Sequence, residues 1–502
     1  METQSRRKFC FGMTGVLVTL PVLTKIFAAA DFSKPAKSDY VSLSARQNDS
    51  DRIPLSSGKR VPFGMDYFSL TGADNILLKP VQVPAAKNKR ISLRLQIAVG
   101  MRDQEELEVF LGNSDRKIGH LSIKYGATLQ IFETQLDAPV ALIIQEGVTL
   151  RMPEGKTTLF FLKNTSVNGS HFLLHDQAQK GDYLAVLCSF RSLQPFGWQE
   201  GCVLDGLQQL YERKNNTDAL KTIQDHLSMF LTPDGKLVYE VPSSLPMDGQ
   251  INNIEFGLPF SVISRYHPDH PSVKIFIDFC RERIGENGQV KENFLSTEGC
   301  YTLAYPLAAA ARDLRQPELY TLVLTELELR IKHLSDREAV YTRSWKDKNT
   351  KTYRNWGRGY AWFLLGLVST GEILQNDPEF KDDDRIQYLK ETFIYYAKLA
   401  LSHQQPDHGW RAYLDLAETG YDCSATAGIG AALAHGSSIG WFDVPKSKLK
   451  QIRNRLSQNL TPDGLLNGIC QNNAGGEQLQ KGEYRVISLY VLGLMAHLDA
   501  HC

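Results

Sequence analysis

The sequence predicts a two-part molecule, an N-terminal antiparallel β-sandwich followed by an (α/α)6 toroid. Three observations predict it. From about residue 60 to 174 the apolar residues alternate or fall in short runs between turn residues, which is how half-buried strands read. From about 176 the apolar period lengthens to that of helices. In that second part turns containing glycine recur, and Thr-Pro-Asp-Gly-x-Leu occurs twice, at Thr232–Leu237 and Thr461–Leu466.

In chain order, residues 1–30 read as a twin-arginine signal peptide. Ser5-Arg6-Arg7-Lys8-Phe9 is followed by an apolar stretch, Cys10 to Leu23, and by Ala28-Ala29-Ala30 before Asp31. The stretch is too short to span a bilayer comfortably. It implies a periplasmic or secreted protein exported through the twin-arginine pathway, with no integral membrane segment in the mature chain. Residues 31–58 are polar and read as a linker or draped segment. Residues 59–175 form the sandwich, with strands expected at Ile91–Ile97, Glu106–Leu111, Val140–Ile144 and Thr158–Leu162 and turns at Gly112-Asn113, Glu154-Gly155 and Asn168-Gly169. Many short strands with regular turns argue for a sandwich.

Residues 176–502 supply the helices. Apolar-periodic segments run over Cys202–Tyr211, Ala219–Leu231, Ile254–Tyr266, Val273–Ile284, Tyr301–Leu314 and Leu319–Leu334. They continue over Trp362–Leu374, Ile386–Leu401, Ala425–His435, Lys446–Leu456 and Tyr484–Leu498. A further helix over Asp182–Ser192 completes six hairpins. Hairpins recurring roughly every 50 residues follow repeat logic, since each needs its neighbours to cover its apolar face. Six in a closed ring give the toroid, with loops and inner helix ends around one cavity.

Bulk properties exclude several classes. The 502 residues are 42% hydrophobic and 22% charged, with formal net charge zero, an ordinary globular balance. No long Lys/Arg run marks a nucleic-acid partner. None of the eight cysteines forms C-x-x-C or has a histidine at zinc-ligand spacing, so they read as buried thiols, with one disulfide left open. Nothing points to a metal site, and oligomeric state is unknown.

The most telling stretch runs from Trp356 to Leu367, where a polar loop (Lys346–Asn355) meets an apolar helix. Trp356, Tyr360 and Trp362 offer flat faces with a polar edge. Arg358 offers a planar fork that grips a carboxylate with two parallel bonds. Rings to stack on beside a clamp for an acid group suit a sugar acid, so an oligosaccharide carrying an acidic sugar is the expected partner. The competing reading makes the tryptophans core and Arg358 a cap on the preceding turn.

These blocks resemble the unsaturated glucuronyl and rhamnogalacturonyl hydrolases, glycoside hydrolase families 88 and 105, over roughly residues 190 to 500. The family's W-x-x-G-x-x-L-x-G-L-x-x-L-Y is matched from Trp198 to Tyr211, and its N-x-D by Asn253-Ile254-Glu255. D-x-x-Y-M-x-x-P is matched by Glu298, Tyr301 and Pro306, and W-A-R-G-N-G-W by Trp356–Trp362. E-T-S-A-T-A is matched by Asp422–Ala427, with Gly409-Trp410 ahead of it. The resemblance implies hydration of a terminal 4,5-unsaturated uronic acid left by a polysaccharide lyase, with no metal or organic cofactor. It implies Glu298 as proton donor and water activator, Glu255 as its partner, and Trp198, Arg343, Trp356, Arg358, Tyr360, Trp362, Trp410 and Ser424 as substrate-binding residues.

The chain departs from the family where it matters most. Both family aspartates are glutamates here, and Arg343 stands where the family tends to place a histidine. A second basic residue suits a more acidic substrate, while a surface pair with Asp347 is the plainer reading. Glu298 and Glu255 also read as favourable charges at helix starts. Two other functions stay open: a conventional two-carboxylate glycosidase, and a carbohydrate-binding protein that has lost catalysis.

Overall fold

The computed structural model describes residues 39–45, 52–72, 74–82, 89–153, 157–164, 169–176, 180–283, 291–346, 348 and 350–502. The signal peptide, half of the expected linker and Asp347 lie outside the described residues. Strands come first: β1 (Asp39–Ala45), β2 (Tyr67–Leu70), β3 (Asn75–Pro80), β4 (Arg90–Gln96), β5 (Gln104–Leu111), β6 (Lys117–Lys124) and β7 (Ile131–Gln135). After helix α1 (Val140–Glu146) come β8 (Val148–Arg151), β9 (Leu159–Leu162) and β10 (His171–His175). Eight of these form an antiparallel sheet in the order β6-β5-β8-β3-β1-β10-β4-β7, and β2 pairs with β9. β1 pairs with β10 over Asp39–Ser42 and with β3 over Leu43–Ala45, so it belongs to both halves of the sheet. The edge strands β6 and β7 touch each other.

Two expectations fail here. The linker assigned to residues 31–58 contains β1, a central strand. Its Val41 and Leu43 are buried while Ser42 and Ser44 are exposed, an alternation that polar neighbours on both sides disguise. The strand expected at Val140–Ile144 is helix α1. A short apolar run carries no period of its own, and Pro139 starts this one as a helix in which Ile143 and Ile144 are buried.

The helical region holds α2 (Tyr183–Leu187), α3 (Trp198–Lys214), α4 (Thr217–Leu227), α5 (Phe260–Tyr266), α6 (Pro271–Arg283), α7 (Tyr305–Leu314) and α8 (Leu319–Leu334). It continues with α9 (Gly357–Gln375), α10 (Asp384–Ser402), α11 (Cys423–Ser438), α12 (Lys446–Ser457), the short α13 (Gly476–Lys481) and α14 (Tyr490–His501). Contacts run from α3 to α5, α7, α9, α11 and α14, and from α14 back to α3. A second set backs the first: α4 on α3, α6 on α5, α8 on α7, α10 on α9, α12 on α11 and α2 on α14. Composition explains the division. α9, α11 and α14 are buried almost along their whole length, whereas α12 buries only Leu449, Ile452 and Leu456. A helix apolar all round goes inside and an amphipathic one outside. α3 and α14 approach most closely at Gly206 and Gly493, where an added Cβ would meet the facing backbone at 2.2 and 2.0 Å.

Short antiparallel ribbons interrupt the helices where the sequence suggested none. One joins β11 (Phe294–Ser296), β12 (Tyr341–Trp345) and β13 (Thr350–Arg354), and another joins β14 (Ile469–Cys470) and β15 (Arg485–Val486). The stretch expected as a polar loop before Trp356 is thus partly a hairpin. The helix expected from Ile254 begins only at Phe260, because Gly257 and Pro259 separate it from a single 3-10 turn over Ile254–Phe256. The seven described cysteines are free thiols.

Strands and helices are bound together. Arg94 of β4 and Arg191 both reach Asp463, in the second Thr-Pro-Asp-Gly turn. Arg94 and Asp463 are each about 1% exposed at the side chain. Tyr40 of β1 donates to the same carboxylate at 2.5 Å. Arg60 binds Glu240 and Asp248 in the loop ahead of Glu255. Residues Pro35–Cys502 accordingly cluster as one unit.

Candidate active site

Glu255 and Glu298 reach one cleft from two different turns. Glu255 sits on the 3-10 turn over Ile254–Phe256, where the Asn253 side chain accepts from the Glu255 backbone N–H at 2.8 Å. Glu298 follows β11 directly and leads into a π turn over Cys300–Ala304 ahead of α7. Single π turns collect at functional sites. A cleft of about 440 Å³ is lined by both acids and by Trp198, Trp356, Arg358 and Trp362. Tyr301, Thr302, Cys202, Asn472 and Asn473 complete its wall.

Burial, and then the negative charge of Glu298, push the Glu255 carboxyl up to about 7, against the pull of Arg343 and Arg102. One of two neighbouring acids is therefore held protonated near neutral pH, as like charges in a dry place require. Glu298 accepts from the Asn473 amide at 3.1 Å, and the Tyr353 hydroxyl donates to the Asn473 carbonyl at 3.1 Å.

The aromatic wall is held from behind. Tyr301 stacks on Trp362, centroids 5.8 Å apart and planes within 9°, and donates to Asp205 at 2.5 Å. Asp205 also accepts from Tyr305 at 2.8 Å and bonds His497 Nδ1 at 2.9 Å. Burial alone would raise this carboxyl, but His497 and the two tyrosines hold it below the usual range. The chain of bonds continues from His497 to His435 at 3.1 Å and to Glu372 at 2.8 Å. His501 stacks on His435 at 4.2 Å. These three histidines are close enough together to hold a metal ion, but each ring nitrogen already has a protein partner.

Arg358 lines the cleft, yet much of its fork is committed. Nε donates to Ser424 Oγ at 3.2 Å, and Nη2 donates to the carbonyls of Cys470 and Gln471. Nη1 is the nitrogen left over, so the two-bond grip on a carboxylate expected from sequence is not available as the residue stands. Ser424, itself fully buried, donates to Asp422 at 2.7 Å and holds Arg358 without facing the cleft. Asp422 caps α11 through the N–H groups of Ser424 and Ala425.

Two residues assigned to the sugar are core. Tyr360 is fully buried and packs edge-on against Tyr396. Trp410 is fully buried and donates from Nε1 to the Ala400 carbonyl at 2.7 Å. Neither lines the cleft, although Tyr360 lies between Arg358 and Trp362, which do; an aromatic motif does not say which ring turns inward. Arg343, on β12 opposite Ser296, is close enough to act on Glu255 and lies over the rings of Phe294 and Tyr353 at 5.5 and 5.4 Å. Asn472 and Asn473 were missed. Their loop has no apolar period, and only their spacing after β14 brings them to Glu298.

The family model described as Glycosyl Hydrolase Family 88 matches residues 175–501. No curated protein matches the chain. Among solved structures, it resembles a possible member of the GH105 family from Klebsiella pneumoniae subsp. pneumoniae MGH 78578. The identity is 15% and the TM-score 0.53, over 61% of this chain and 82% of that one. It also resembles a family 105 glycoside hydrolase of C. acetobutylicum ATCC 824, at 18% identity and TM-score 0.52, over 62% of this chain and 94% of that one. These likenesses concern the fold. The match over most of the helical region, with two carboxylates meeting in its aromatic cleft, makes the chain a member of Glycosyl Hydrolase Family 88 and a glycoside hydrolase.

Proposed function

We propose that the protein hydrates the terminal 4,5-unsaturated uronic acid of oligosaccharides left by polysaccharide lyases. The observation that carries this is the acid pair, with Glu255 held protonated near neutral pH beside Glu298 at the foot of a cleft walled by Trp198, Trp356 and Trp362. The helix contacts, which return from α14 to α3, support reading the helical region as an (α/α)6 toroid with this cleft at one end.

In the proposed reaction the pair delivers a proton to C4 of the sugar's vinyl ether. Positive charge develops at C5, water adds there, and the pair takes up a proton from that water. The resulting hemiketal opens and releases the rest of the oligosaccharide. One proton leaves the pair and one returns, so the enzyme is regenerated. Glu298, steadied by Asn473, is the proposed donor; it takes its proton from Glu255, which holds it while Glu298 is ionised, and passes it to C4.

The substrate's conjugated C=C–COOH absorbs in the ultraviolet, and hydration removes that absorbance. Incubation with lyase-generated disaccharides should lower it. Glu298→Gln should slow the loss by about 10²–10⁴, the usual contribution of general acid–base catalysis. Steady absorbance, with release of sugar from saturated uronides supplied in a parallel assay, would instead identify a conventional glycosidase, and tight binding without turnover a binding protein.

A further inference from the structure

Two arginines near the acid pair form no ion pair among the described residues. Arg343 is fixed by the ribbon: β12 pairs with β11 so that Arg343 faces Ser296, two residues before Glu298. The Thr297 N–H donates to the Thr342 carbonyl at 2.9 Å and holds the two segments in register. The Arg343 guanidinium lies over Phe294 and Tyr353, and Tyr353 reaches Asn473 beside Glu298. Arg343 is half-buried, and its Nε is buried without a hydrogen-bond partner. It forms no ion pair among the described residues. The plain alternative, Asp347, lies outside the described residues.

Arg102 comes from the other half of the molecule. It is exposed on the loop between β4 and β5 and has no ion pair among the described residues. The loop is anchored by Gly100 N–H to Thr128 Oγ1 at 3.0 Å and by Met101 N–H to the Gly126 carbonyl at 2.8 Å. At Gly100 it lies so close to Pro242, in the stretch leading to Glu255, that an added Cβ would stand 2.3 Å from the Pro242 carbonyl oxygen. Both arginines act on Glu255. A half-buried guanidinium with an orphaned N–H costs stability unless a ligand answers it, and Arg suits the planar oxygens of sulfate or carboxylate.

We propose that Arg343 and Arg102 form a second anion subsite, taking a further acidic substituent of the oligosaccharide beside the acid pair. The substrate would then carry a sulfate ester or a second carboxylate in addition to its unsaturated uronate. The strand region would take part in recognition through Arg102. This rests on the hydration reading above for what is turned over, but binding tests it separately.

The experiment uses the full chain and three lyase-generated unsaturated disaccharides: one unsubstituted, one carrying a sulfate and one carrying a second carboxylate. Binding is followed by tryptophan fluorescence and turnover by ultraviolet absorbance. The expected result is tighter binding of at least one doubly charged disaccharide by about tenfold or more, weakening as salt is raised. The arm that shows it identifies the substituent. Arg343→Ala should bring the preference close to one, Arg343→Lys should keep part of it, and Arg102→Ala should give a smaller loss. Equal binding of all three by the unaltered chain would overturn the proposal, as would a preference that survives Arg343→Lys and Arg102→Ala undiminished. If the preference is seen but no absorbance is lost, the subsite stands and the hydration reading fails.

Discussion

Glu255 gains its reactivity at the expense of stability. Its carboxyl moves from the ordinary 4.5 to about 7 on folding. Between those values the folded chain keeps a proton that the unfolded chain has released, so stability falls as pH rises through the window. The expected loss is on the order of 1–3 kcal/mol, complete once pH passes about 7. Glu255→Gln should flatten the fall, and denaturant titrations at several pH values would show it. A fall of equal size in the variant would place the effect elsewhere. Activity should decline over the same rise in pH, as the pair gives up its proton. Arg358 gives a second prediction. Arg358→Lys keeps the charge but cannot serve Ser424 and two carbonyls together, so the Asn472–Asn473 loop loosens. Binding of an anionic sugar should weaken by about 1.5–3 kcal/mol, the range for charged hydrogen bonds, as measured by KM. An unchanged KM would show that neither the guanidinium nor the loop it holds bears on substrate binding. Trp356, Trp362 and Arg358 of the aromatic block line the cleft, and the block was legible because a polar-to-apolar junction at a helix start marks an inner helix end. It misplaced Tyr360 because ring direction depends on helix rotation, which the motif does not encode.

The two Thr-Pro-Asp-Gly turns show how little an element's sequence says about its surroundings. Asp234 in the first is exposed and pairs with Lys236. Asp463 in the second is buried between Arg94 and Arg191. Burial alone would raise the Asp463 carboxyl, but the two guanidiniums and the Tyr40 hydroxyl hold it far below the usual range. The local turn is the same in both, with the threonine hydroxyl bonded to the aspartate at 2.6 and 2.7 Å. Asp463→Ala should therefore cost about 3–5 kcal/mol, because it removes the buried partner of Arg94 and leaves it only the partly exposed Glu133. Asp234→Ala should leave stability nearly unchanged, because its pair with Lys236 is exposed to solvent. Thermal unfolding of the two variants checks the contrast, and comparable losses would refute it. Helices were legible for the same reason that these turns were. The apolar period of α9 or α14 is local, whereas β1 depends on strands more than thirty residues away, and α1 is set by Pro139 rather than by its hydrophobicity.

On the scale of the whole molecule the strand region braces both sides of the cleft. Arg60 fixes the loop before Glu255. Gln130 and the Lys124 carbonyl hold Gln471, next to Asn472. Residues 176–502 produced alone should lose cooperative unfolding and turnover together, as scanning calorimetry and the absorbance assay would show. A fragment that unfolds sharply and keeps full activity would show the strands to be dispensable. Composition and turn spacing made two regions visible, but nothing in either region announced the brace, since its ion pairs join residues hundreds of positions apart. That distance also sets a clock. Arg94 and Asp463 are 369 residues apart. At the ribosome's ~5–20 residues per second, Arg94 waits roughly 20–70 s for Asp463 to be synthesised. Until then Arg94 has Glu133 of β7 as a partner but lacks the buried carboxylate that closes over it. The first part of the chain to be made is among the last to be finished, and products of premature termination before residue 463 would never complete it.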